Sequence, residues 1–154
     1  MILVFTMLFT ACNKVGNPKE HLEKIYSLAL ESAMESDQAL NSDMKFIAID
    51  MSNFKEINNE DKETILSFLE EKYKVETMDT TLKQLEEKGY YNPETTELNG
   101  VLLEIEKTEF KNNRKVSLNV SKTRSGDGAV GLEIIVYYKN NEWKVEESEV
   151  LWES

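Results

Sequence analysis

The chain predicts an α+β domain in which N-terminal helices pack on a curved antiparallel β-meander, and three observations carry that prediction. Apolar residues recur at helical spacing through the first half. After Gly100 the spacing changes to two. Turn-forming pairs rich in Asn and Gly then separate the apolar rows.

Asn17-Pro18 opens the first helix: the asparagine side chain can cap free amides, proline is already set for the first helical position, and Glu20 follows in the first turn. Leu22, Ile25, Tyr26, Ala29 and Ala33 give that helix an apolar face to about Ser36. Met44 to Phe54, MKFIAIDMSNF, predicts a short strand or extended segment ended by the polar run Glu56 to Asp61. A second helix starts at Asn58 or Asn59, with Glu60 and Asp61 in its first turn and Ile65, Phe68, Leu69 and Tyr73 on one face. Val75 to Met78 fits one more strand. Asp79 is the expected cap of a third short helix carrying Leu82 and Leu85, with Gly89 as the left-handed residue that closes it. Tyr90 to Asn99, which contains Asn92-Pro93, is expected as a loop.

From Gly100 onward, Val101, Leu103 and Ile105 form one row. Val116, Leu118 and Val120 form the next, followed by Leu132, Ile134, Val136 and Tyr138, then by Trp143, Val145, Val150 and Trp152. Asn112-Asn113, Gly126-Asp127-Gly128 and Asn140-Asn141 separate them, and these residue types accept the positive φ of tight hairpins. Four antiparallel strands in a meander are expected.

Length and charge limit the function. The chain has 154 residues, enough for one domain with a real core. Eighteen Lys and Arg against 29 Asp and Glu give a formal charge of -11, which repels phosphate backbones and argues against a nucleic-acid partner. One cysteine and one histidine supply neither a disulfide nor a structural zinc site. No metal or cofactor is expected.

The opening run MILVFTMLFTA, residues 1–11, is uncharged and too short to span a bilayer as a helix, but has the length of a signal-peptide apolar region. Phe9, Thr10, Ala11 and Cys12 at its end resemble a bacterial lipobox, although phenylalanine stands where leucine is usual. No basic segment precedes the run, which points to a start further upstream. The resemblance implies cleavage before Cys12, alkylation of its thiol by a diacylglyceryl group, a tether over 12–18, and one α+β domain over 19–154. Two acyl chains hold a protein stably at a membrane. The expected location is therefore the extracytoplasmic face of the cell membrane, with the lipid anchor as the membrane contact and an unknown protein or small molecule as partner.

The order of elements also resembles the cone-shaped NTF2-like and cystatin-like folds. SKTRSGDGAVG, YYKNNEWKV and the closing VLWES are similar to a group of small bacterial lipoproteins of unknown function, some of which are labelled as peptide-transporter components. What this implies is an extracytoplasmic lipoprotein whose domain binds a ligand or partner without catalysis. Two alternatives compete with it: a small NTF2-like enzyme with a buried carboxylate such as Asp50 as base, and an accessory component of a peptide transporter.

Among candidate sites the most distinctive segment runs from Lys122 to Gly128. Lys122 and Arg124 bring charge, Ser125 a hydroxyl, and Gly126 and Gly128 flank amides that can form an anion-binding nest. The competing reading is a hairpin whose basic residues offset an acidic surface. It lacks the spacing of a phosphate-binding Walker loop. Asp50 is the acid to inspect for a raised pKa, His21 is expected on the surface, and Trp143 and Trp152 are expected as packing residues or pocket walls.

Overall fold

The computed structural model describes residues 16–154. The signal-like run and Cys12 lie outside them. The chain opens with a 3-10 turn, Pro18–His21, in which the Asn17 side chain accepts a hydrogen bond from the Lys19 amide. Helix α1 (Leu22–Glu35) follows, and its Leu22, Ile25, Tyr26, Ala29, Leu30, Ala33 and Met34 are buried. That periodicity is the one the sequence carries. Strand β1 (Phe46–Asp50) leads into helix α2 (Asn59–Tyr73), whose start is a capping box between Asn58 and Asp61.

Strand β2 (Glu76–Asp79) and helix α3 (Leu82–Glu87) come next. The α3 cap is Thr81, not Asp79: its hydroxyl takes the Gln84 amide, and the Gln84 side chain takes the Thr81 amide. Asp79 instead accepts from the Met51 amide and from Lys62. Gly89 closes the helix at φ 77°. The segment expected as a loop contains a small hairpin, β3 (Tyr91–Asn92) against β4 (Glu97–Leu98).

The meander then runs through β5 (Val101–Asn112), β6 (Lys115–Ser125), β7 (Gly128–Lys139) and β8 (Glu142–Glu153), each antiparallel to the next. Asn140 and Asn141 both have positive φ, 53° and 65°, as a tight two-residue hairpin demands. The expected four-stranded meander forms, and the sheet continues past it at the β5 side. The six strands lie in the order β2-β1-β5-β6-β7-β8, and β1 is parallel to both neighbours.

Parallel neighbours need crossovers, and right-handed crossovers leading in opposite directions along a sheet must use opposite faces. The path from β1 to β2 carries α2, and the path from β2 back to β5 carries α3 and the small hairpin. Ile65 and Leu69 of α2 accordingly join α1 and the inner rows of the meander in the main core. Leu85 of α3 joins Phe46, Ala48, Leu98 and Leu102 in a second, smaller core on the other side. The result is an α+β fold with a mixed six-stranded sheet, one face carrying α1 and α2 and the other covered by α3 and the small hairpin over β1 and β5.

Candidate functional site

Position 122 continues the row Val116, Leu118, Val120, so the pleat turns Lys122 into the main core. It is fully buried. Its ammonium donates to three backbone carbonyls at the end of α1, those of Met34 (3.2 Å), Ser36 (2.7 Å) and Asp37 (3.1 Å). The last turn of α1 has no basic residue of its own. Lys122 thus caps the helix from a distant strand, placing a cation where the helix dipole is negative and carbonyls lack partners. Burial pulls its pKa down to about 8, and the nearby Asp37 carboxylate works in the opposite direction.

Arg124 lies in the same row and reaches the Leu40 carbonyl at 3.5 Å, the limit of a hydrogen bond. At the tip, the Ser125 hydroxyl is held by Asp127 at 3.0 Å. The Gly126 amide is shared between the hydroxyl (3.0 Å) and the carbonyl (3.2 Å) of Thr96. The residues of the expected anion nest therefore do not converge on one point. Lys122 and Arg124 face the α1 end, Ser125 faces an acid, the Gly126 amide is already used, and Gly128 pairs with Ser125 in the ladder.

At the carboxyl end of β1, the half-buried Asp50 accepts from the Ser52 amide at 2.9 Å and stands opposite Glu104 of β5. The acid whose pKa is lifted is Glu104, missed by the sequence reading: burial raises it, and the carboxylates of Asp50 and Glu106 add to the effect. Just beyond lies a recess of about 170 Å3 lined by Asn53, Lys55, Glu106, Lys107 and Thr108. It is below the size of ordinary ligand pockets. Among the described residues no group of three or more His, Cys, Asp and Glu is placed to hold a metal ion. His21 is exposed, 6.2 Å from the Trp143 ring, and Trp143 is buried in the main core.

The surface that does stand out is the free side of β8. This strand ends the sheet, and no described strand pairs with its outer edge. Val150, Leu151 and Trp152 lie there in succession, 47%, 49% and 42% exposed. Two register shifts on β8, near residues 146 and 151, put Val150 opposite Leu132 on the helix side and Trp152 opposite Gly131 on the other. The indole lies so close over Gly131 that a Cβ there would collide with it. An open groove of about 410 Å3 runs between α1 and the first half of β8, with Leu28, Trp143 and Val145 in its lining and both acids and lysines at its rim, Glu31 and Glu35 paired with Lys72 and Glu142 with Lys144. Sequence reading assigned Val150 and Trp152 to the apolar row. The signal it passed over is that VLW breaks the alternation, so three consecutive apolar side chains cannot all face one core.

No described helix is long and apolar enough to cross a membrane. No family model, curated protein or solved structure matches the chain.

Proposed function

We propose that the protein is a lipoprotein held through Cys12 at the extracytoplasmic face of the cell membrane, and that its domain binds a protein partner without catalysis. The observation that carries the binding half is the apolar run Val150–Trp152, exposed on a twelve-residue edge strand. An open edge offers backbone donors and acceptors in a row, and this one ends in an apolar run that the described fold leaves about half exposed. The polar groups that could have formed a site are engaged within the fold, as at Lys122, Arg124 and Gly126. Helix α1 laid across a long antiparallel meander supports kinship with the cone-shaped NTF2-like and cystatin-like folds, which belongs to the same proposal.

The anchor is tested by intact mass and metabolic lipid labelling of the wild type and Cys12→Ser in a bacterium with a lipoprotein pathway. The expected result is that wild type loses residues 1–11 and gains a diacylglyceryl group, while the variant does neither. A wild-type protein that keeps its N-terminus and takes up no label overturns the anchor. The Glu104 corner gives the enzyme alternative a specific footing, since a burial-raised acid beside Asp50 is the kind of group that moves protons.

A further inference from the structure

We infer that β8 is a docking edge for an extended basic segment of a partner protein, which adds to the sheet as a seventh strand. This rests on the partner-binding reading above and names the chemistry of the partner. Strand addition needs a free edge of useful length, and β8 offers twelve residues, about 40 Å at the rise of an antiparallel strand. It also needs side-chain complementarity, because the backbone pairing itself is indifferent to sequence.

The charge of the edge makes the choice. β8 carries five glutamates and one lysine; Glu142 pairs with Lys144 at 2.8 Å and Glu146 with Lys115 at 3.9 Å, which leaves Glu147, Glu149 and Glu153 as the acids without an ion pair among the described residues. All five glutamates are exposed. Cross-strand neighbours of opposite charge stabilise a pair and like charges oppose it. A second copy of this chain pairing β8 with β8 would set glutamates against glutamates. A strand alternating Lys or Arg with apolar residues would meet them with the right sign, while its apolar side chains cover Val150 and Leu151 and enter the groove floored by Leu28 and Val145. The register shifts near 146 and 151 break the edge into short stretches, so the segment from Glu147 to Val150 is the pairing core and Leu151–Trp152 the apolar anchor beyond it.

The experiment titrates the isotope-labelled domain, followed by amide spectra, with three peptides of about ten residues, a common strand length. One alternates lysine with valine, one alternates glutamate with valine, and one repeats the lysine peptide with alternate backbone nitrogens methylated. The expected result is that the lysine peptide shifts amides of Glu147 to Glu153, the glutamate peptide does not, and methylation weakens binding by about tenfold or more by deleting the donors on one side. Glu147→Lys with Glu149→Lys, both on exposed positions, should weaken the lysine peptide by a further factor of about ten.

Shifts spread over the acidic surface and unaffected by methylation would overturn strand addition, leaving only diffuse charge attraction. Equal binding of the glutamate peptide at β8 would overturn the basic partner while sparing the partner-binding reading. Concentration-dependent shifts at β8 without any peptide would replace the partner by a second copy. No binding by any peptide overturns the inference. The lipid-labelling result is independent of all four outcomes, so the anchor stands or falls separately.

Discussion

At one end of the sheet β2 presents four residues, and at the other β8 presents twelve. The short edge is braced from α2 by side-chain contacts. Thr77 donates its hydroxyl to the Leu66 carbonyl of α2, Lys62 pairs with Asp79 at 3.0 Å, and the α3 core sits behind β1. The long edge has no such cover among the described residues. Both ends solve the same physical problem, since unpaired strand backbone invites pairing. One is kept to four residues and braced by side-chain contacts. The other keeps its backbone open and is guarded by charge along most of its length, with an apolar end. The difference teaches that a short edge can be left to its side-chain braces, whereas the long edge of the meander is the accessible one.

Leu85→Ala tests the closed end and should have the largest effect. Leu85 is fully buried in the second core, and its truncation should cost about 2–4 kcal/mol, read as a fall in chemical-denaturation midpoint. A loss below about 1 kcal/mol would mean that α3 merely rests on the sheet.

Lys122→Met comes next and separates α1 from the edge it covers. It leaves the Ser36 carbonyl without its donor, while that of Met34 keeps the Asn41 amide and that of Asp37 the Leu40 amide, at a cost of about 1–2 kcal/mol at pH 7. Hydrogen exchange should quicken in the last turn of α1 and stay unchanged in β2. The pH dependence has a definite sign. Because the folded pKa is about 8 and the ordinary value 10.5, the unfolded chain binds more protons between them, so this lysine makes stability rise with pH across that window. The gap between wild type and Lys122→Met should therefore widen from pH 8 to 10.5.

Glu104→Gln should act in the opposite direction at the closed end. With its pKa raised in the fold, Glu104 contributes favourably when protonated and loses that contribution as pH rises through its folded pKa. The glutamine variant should be more stable at pH 7, by about 1 kcal/mol at most, and should lose that advantage in acid. Thermal melts at two pH values decide it. Leu151→Lys at the open end should change stability by less than about 0.5 kcal/mol, since the side chain is half exposed. A large loss there would show that the run packs on something in the folded chain.

Much of this arrangement could be read in advance where local chemistry decides the outcome. Asn58 caps α2, Asn140-Asn141 makes a hairpin, and the rows from Val101 to Trp143 alternate as written. What could not be read is which strand lies beside which. FIAI is apolar throughout, as strands buried on both faces in parallel sheets are, but a run this short does not by itself say which strands flank it. The β3–β4 hairpin has two residues per strand, too few to show a period. Lys122 was legible and was misplaced for a different reason. Its phase with Val116, Leu118 and Val120 pointed inward, but its neighbours Arg124 and Gly126 made the whole segment look like a surface loop. Glu104 was hidden because its shift comes first from burial and then from Asp50, and the fold alone supplies both.

The lysine that closes α1 also imposes an order on biosynthesis. Its contact with the Met34 carbonyl spans 88 residues of sequence. At the usual pace of translation, about 5–20 residues per second, the helix emerges some 4–18 seconds before the residue that completes its end. Until β6 exists, the Ser36 carbonyl lacks its lysine donor and α1 lacks the inner rows of β6 to β8 beneath it. The first described helix is therefore finished only after most of the chain has been made.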